Sequence, residues 1–392
     1  MFPKITDLVN FLLGTNLDLP IQTYGFFLAL GFITGGIILW SELKRKELEG
    51  KLPPYEKVNS NQKKESWPVI ILGASLSAII AFKFIGIAFH YSEFANNPQD
   101  YLVSGQGNWI AAVILFSLSA GFSLYRNRKS RQTNQEFSTE IIHPYQNTWN
   151  IVVVAIVSAL IGSKLFDILD NFQGFLDNPI HSLFSFSGLT FYGGLIVTVI
   201  TLIYYMRVIH LDWKQVIDAT APAIMLGYAI GRMGCHLSGD GCWGIANELS
   251  KPHWLSLLPD WAWSYSFPHN VINQGGLMQD CTGSHCHVLD VPVWPTSLYE
   301  STISLLFFLV LWKLRTKMRA PVTLFGVFLV LNGIERFFIE KIRVNNRMDI
   351  AGLHPTQAEI ISFTLFFLGL FILWYYQKKH TAKPTSTENE TT

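Results

Sequence analysis

Apolar residues run in nine stretches near the roughly 20 residues that cross a bilayer, at about 21 to 43, 67 to 91, 108 to 125, 149 to 170, 188 to 206, 216 to 235, 295 to 314, 321 to 342 and 356 to 377. The pattern predicts nine transmembrane helices and an all-α, polytopic fold, with residues 1–377 as a single integral-membrane domain and 378–392 as a cytoplasmic tail. Lys44, Arg45, Lys46, Lys51, Lys57, Lys63 and Lys64 follow the first stretch, whereas residues 90–108 hold no Lys or Arg. The alternation continues with Arg126, Arg128, Lys129 and Arg131, then Arg207 and Lys214, then Lys313, Arg315, Lys317 and Arg319, and finally Lys378 and Lys379. Basic loops face the cytoplasm, which predicts an outside N-terminus, an inside C-terminus and an external loop over 236–294, where Lys251 is the one basic residue. Residues 43–66 and 126–148 read as polar connectors, and Thr381–Thr392 reads as disordered.

Composition closes off other classes. With 49% hydrophobic and 15% charged residues, 29 Phe and 12 Trp, the chain is not a soluble globule, and its net charge of +1 carries no nucleic-acid signal. The first stretch has neither a basic n-region nor a small-residue cleavage site before it, so it reads as a retained helix.

An internal repeat lies at an offset of 81 residues: Ala74, Ser77, Ala78, Ile80, Lys83 and Ile87 recur as Ala155, Ser158, Ala159, Ile161, Lys164 and Ile168, and Gly107 as Gly188. One duplication of a helix hairpin, over 67–125, fits this better than a repeat array. Lys164 therefore reads as structural, because Lys83 repeats it in a copy that lacks the later double glycine.

Polar and charged residues of the stretches gather at one depth. Lys164, Asp167, Tyr192, Arg232, Glu335, Arg336, Glu340 and Arg343 all fall toward the outer side, with Arg336, Glu340 and Arg343 on one helical face by spacing. Charge near lipid is costly and marks a polar cavity, a pairing partner or a function. Arginines in such a cavity suit a phosphate. The plainer readings are a structural Arg336–Glu340 pair, an interface anchor at Arg232 or at Tyr299 and Glu300, and glycines that serve helix packing alone.

Six patches in order resemble the prolipoprotein diacylglyceryl transferases: Tyr24-Gly25 with Gly31-Phe32; Gly162-Ser163-Lys164-Leu165; Gly188 to Gly194; Gly231-Arg232-Met233-Gly234-Cys235 through Gly244; Pro295-Thr296-Ser297-Leu298-Tyr299-Glu300; and Gly333 to Arg343. The resemblance covers the first helix and about 149–377, leaving the second and third helices as additions. It implies a bacterial inner-membrane enzyme, open to the outer leaflet, that moves a diacylglyceryl group from phosphatidylglycerol to the lipobox cysteine of a prolipoprotein and releases glycerol phosphate. Its implied partners are phosphatidylglycerol, the lipobox peptide and membrane lipids, without nucleic acid, metal or cofactor. Arg232 and Arg336 are implied to hold the phosphate with support from Arg343, while Gly193, Gly194, Gly231, Gly234, Cys235, Gly239, Gly244, Tyr299 and Glu300 are implied substrate contacts. Tyr192 stands where the family has His, Cys235 where it has Asn, and Asp240 where it has Glu. The usual base is thus missing, and Asp240 and Glu340 become candidates. These departures keep a second reading open, a relative that binds phospholipid or lipoprotein without turnover.

Four cysteines remain. Cys281 and Cys286 suit a disulfide in an oxidising compartment, ahead of a metal site formed with His285 and His287, while Cys235 and Cys242 suit either a pair or free thiols.

Overall fold

Nine helices of 18 to 26 residues stand, among the described residues, where the nine apolar stretches are. At 1.5 Å per residue the shortest is about 27 Å long, close to the roughly 30 Å of bilayer hydrocarbon. The structure, a computed structural model, describes residues 1–60, 66–96, 101–102, 104–132, 137–184, 190–281, 283–318, 320–343 and 354–381. Its elements are α1 (Ile5–Leu13), α2 (Thr23–Leu48), β1 (Tyr55–Ser60), α3 (Trp67–Ile87), α4 (Tyr91–Asn96), α5 (Trp109–Gln132), β2 (Phe137–Ile142), α6 (Thr148–Asp170), α7 (Phe172–Asp177), α8 (Pro179–Phe184), α9 (Phe191–Val208), α10 (Trp213–Ser238), β3 (Gly276–Leu277), β4 (His287–Val288), α11 (Thr296–Leu314), α12 (Thr323–Glu340) and α13 (Gln357–Thr381).

By length and composition α2, α3, α5, α6, α11 and α13 can each cross a membrane. Charged residues dilute α10 and α12, and those residues build the site described below. The chain is a multi-pass helical membrane protein, and large side chains such as Leu72, Trp109 and Phe338 stay exposed on its helices, as a lipid-facing surface requires.

Two compact units divide the chain. The first holds Met1–Pro53, Pro144–Val153 and the chain from Ile203 onward; the second holds Pro54–His143 and Val154–Leu202. In the first, α2 lies close against α10 because glycines remove the Cβ between them. A Cβ at Gly31 would come within 3.0 Å of the Gly227 carbonyl oxygen, and one at Gly35 within 3.2 Å of that of Ala223. Helices α10, α11 and α12 close around Ala221, Met225, Leu311, Leu324, Phe328 and Leu329, and the Ser301 hydroxyl donates to the Ala229 carbonyl at 2.8 Å. Buried charge here is paired: Glu42 receives Arg45 at 2.7 Å and Arg315 at 2.5 Å, and Asp218 accepts the Val322 and Phe325 N–H groups at 2.8 and 2.9 Å, capping α12.

The second unit holds both copies of the repeat. Equivalent serines reach a hydroxyl on the facing helix at 3.4 Å, Ser77 to Ser119 and Ser158 to Thr198. Of the repeated lysines, Lys83 donates to the carbonyls of Tyr101, Ser104 and Gln106, and Lys164 pairs with Asp167 at 2.9 Å.

Three features depart from the sequence expectation. The two connectors are not plain loops, since α2 runs on to Leu48 and α5 to Gln132, and β1 pairs antiparallel with β2, Tyr55 opposite Ile142. Helix α1 precedes the first span; it is short and leaves Phe11, Leu12 and Leu13 exposed, the profile of a helix lying in a membrane interface. The external loop is not a plain connector either, since it has its own core of Trp243, Phe267, Leu289 and Val293, with Tyr265 packed against it. Residues 382–392, expected to be disordered, lie outside the described residues.

Candidate functional site

Glu300, near the start of α11, is fully buried and is the anion on which three arginines converge. Arg232 Nε lies 2.6 Å from its Oε2, Arg343 Nη1 3.3 Å from Oε1, and Arg336 Nη1 3.5 Å from the same oxygen. Arg336 also stands 3.4 Å from Glu340, one turn further along α12. The arginine side chains keep 17%, 22% and 18% of their surface open at Arg232, Arg336 and Arg343, against 0% for both glutamates. The guanidinium groups are thus partly open while these two carboxylates are fully covered. Each guanidinium carries five donors, and a carboxylate accepts about four, so the set has more donors than Glu300 and Glu340 can engage. Glu335, a third buried carboxylate on α12, has an oxygen with no hydrogen-bond partner among the described residues.

Arg343 is not on the helical face that its spacing suggests, because α12 stops at Glu340. It arrives from the following turn, where its backbone bridges to Gly244. From there its other terminal nitrogen reaches Cys242 Sγ at 4.0 Å, so one guanidinium touches both the Glu300 cluster and a thiol.

The signature loop explains how that thiol gets there. Helix α10 ends at Gly239 with φ +67°, and Gly241 follows with φ +90°, left-handed conformations that glycine adopts without strain. The chain turns back, Asp240 accepts the Cys242 N–H at 3.0 Å, and Thr296 donates to the Cys242 carbonyl at 3.0 Å. Cys242 therefore returns to Cys235 in the last turn of α10. Cys235 and Cys242 are free thiols, and one ligand atom from each lies with an Asp240 oxygen within 4.8 Å of one another. Cys281 and Cys286 are disulfide-bonded, which removes both from the alternative metal set.

The remaining expected contacts, Gly231 excepted, are packed against neighbouring groups. Gly234 faces Phe27 of α2, where a Cβ would come within 2.6 Å, and Gly244 is pressed between the Ile342 carbonyl, Trp294 and Thr296. Gly193 abuts Phe166 and the Gly162 carbonyl, and Gly194 abuts Ser163. Gly231 alone among them faces open space. The Tyr299 hydroxyl donates to the Ala262 carbonyl at 2.8 Å, tying α11 to the external loop. The Tyr192 side chain lies outside the described residues. Sequence reasoning missed Cys242 as a member of the cluster, although its place two residues after Asp240 in a glycine-rich turn carried the signal.

A family model described as prolipoprotein diacylglyceryl transferase matches residues 104–375. The chain is 30% identical over 266 residues to the phosphatidylglycerol–prolipoprotein diacylglyceryl transferase of Leptospira interrogans, covering 62% of this chain and 72% of the relative. It is 26% identical over 276 residues to the protein of the same name in Coxiella burnetii, covering 68% and 90%. The corresponding protein of Halalkalibacterium halodurans is 30% identical over 241 residues, covering 61% and 73%.

Proposed function

The chain belongs to the prolipoprotein diacylglyceryl transferase family, and we propose that it transfers the diacylglyceryl group of phosphatidylglycerol to the lipobox cysteine of a prolipoprotein. The observation that carries this reading is the convergence of Arg232, Arg336 and Arg343 on buried Glu300, with Arg343 also touching Cys242.

The chemistry asks for two things. A thiolate must attack the glycerol carbon joined to phosphate, forming a C–S bond as the C–O bond breaks, and the departing glycerol phosphate gains charge on the oxygen that leaves. Donors placed where charge develops lower that barrier most, and removing one such donor costs roughly 2.7–4 kcal/mol. Glu300 holds the three guanidinium groups in place before substrate arrives, so little reorganisation is needed. Arg232 and Arg336 take the phosphate in this reading, and Arg343 stands between the phosphate and the thiol.

In this reading the protein sits in the bacterial cytoplasmic membrane, and the alternation of basic loops supports an outer position for α1, the external loop and the arginine cluster. The test is release of labelled glycerol phosphate from phosphatidylglycerol by the purified protein with a lipobox peptide and with its Cys→Ala control. Release that needs the peptide thiol supports the transferase. Lipid retention without release overturns it in favour of a lipid-binding relative.

A further inference from the structure

We infer that Cys235, Asp240 and Cys242 form a zinc site whose fourth position takes the acceptor thiol. This rests on the transferase reading for the identity of that thiol, but the metal site itself does not.

Two thiols and a carboxylate are a donor set for Zn2+, which takes Cys sulfur at about 2.3 Å and carboxylate oxygen at about 2.0–2.2 Å. Around a tetrahedral ion such donors stand roughly 3.4–3.8 Å apart. Here they lie within 4.8 Å of one another with no ion between them, so a shift of about an ångström closes the set. The backbone favours that arrangement, because the two left-handed glycines fold Cys242 back over the end of α10. The loop is further fixed by the Thr296 hydrogen bond to the Cys242 carbonyl. Cys235 is buried while Asp240 and Cys242 are half-buried, so the set is not fully enclosed by protein. These thiols are free in a chain whose other two cysteines are joined.

Charge does not exclude a cation beside the arginines. Two thiolates and a carboxylate carry three negative charges against two on zinc, and Arg343, at 4.0 Å from Cys242 Sγ, answers the surplus as an outer partner. Three protein ligands with an open fourth position are the pattern of a working zinc rather than a structural one.

A thiol that binds zinc loses its proton outright, so a lipobox cysteine in the fourth position becomes a thiolate without a basic side chain. The proton leaves to water as the sulfur binds. The sulfur lone pair then forms the C–S bond, the C–O pair departs with glycerol phosphate onto the arginines, and zinc keeps its oxidation state. The site thus supplies the function of the base that Tyr192 does not offer.

The test uses the full chain in detergent, loaded with Zn2+ and, in parallel, Co2+. One metal per chain is expected, with a Co2+ thiolate charge-transfer band that Cys242→Ser weakens. Asp240→Asn, which keeps the oxygen that accepts the Cys242 N–H, should weaken Zn2+ binding by more than the 10–100-fold typical of outer-shell changes. A lipobox peptide should add one thiolate to the Co2+ spectrum, and its Cys→Ala form should add none. Absence of metal, unchanged affinity in both variants, or a Cys235–Cys242 disulfide in protein isolated without reductant overturns the site. A Co2+ spectrum indifferent to the peptide overturns the role of the fourth position. If the transferase reading alone fails, glycerol phosphate release is lost while the metal stoichiometry and its dependence on Cys242 persist.

Discussion

Glu300 is central to the charge balance of the site, since three guanidinium groups share this one carboxylate, which has no exposure. Replacing it by Gln leaves them without their shared anion, and breaking a buried pair in this way costs about 3–5 kcal/mol. Glu300→Gln should therefore lower the thermal midpoint of the detergent-solubilised protein markedly, read by the loss of monodisperse protein on heating. Arg336 separates charge from geometry. Arg336→Lys keeps the charge but loses the planar fork, so its rate of glycerol phosphate release should fall between wild type and Arg336→Ala; equal rates for Lys and Arg would show that a point charge suffices. The arginines were legible in the sequence because charge inside an apolar stretch has few explanations. The part played by Glu300 was not, because a Tyr-Glu pair at a helix start reads equally well as an interface anchor, and packing alone puts the carboxylate beneath three other chain segments.

Between helices, glycine decides how near backbones come. Gly193 and Gly231 separate packing from binding, since a Cβ at Gly193 would collide with Phe166 and the Gly162 carbonyl whereas one at Gly231 meets nothing within 4 Å. Gly193→Ala should cost roughly 1–3 kcal/mol of stability through overpacking. Gly231→Ala should leave stability within about 0.5 kcal/mol of wild type, so a fall in lipid transfer with that variant would mark Gly231 as a substrate contact. Thermal unfolding and transfer rate measured on the same two proteins decide both. Helix existence was readable from apolar runs of bilayer length, but helix ends were not. The run past Glu340 looks helical by its Arg-x-x-x-Glu-x-x-Arg spacing, yet α12 stops and the chain turns to bridge Gly244. The strands β1 and β2 escaped notice because two short polar connectors far apart in sequence give no signal of pairing to each other.

For the whole molecule, the alternation of basic loops predicts the 236–294 loop on one side of the membrane and the 43–66 connector on the other. Single cysteines placed at exposed Trp254 and exposed Lys44, in a background lacking the free thiols, should differ in whole cells: the first reacts with a membrane-impermeant maleimide and the second only after permeabilisation. The reverse pattern would invert the orientation. Class and the positions of the helices were legible because hydropathy acts over long stretches, whereas the meeting of α10, α11, α12 and the signature turn at one cluster is a tertiary fact. That cluster is the centre of the proposed reaction. Its most direct test is the intact mass of a lipobox peptide after incubation with phosphatidylglycerol and the purified protein. A gain of one diacylglyceryl group, held through sulfur, is expected, absent from the Cys→Ala peptide and slowed about 100- to 1,000-fold by Arg336→Ala. An unmodified peptide under conditions where a relative of the same family modifies it, or a rate indifferent to Arg336, would contradict the arginine cluster as the place of transfer.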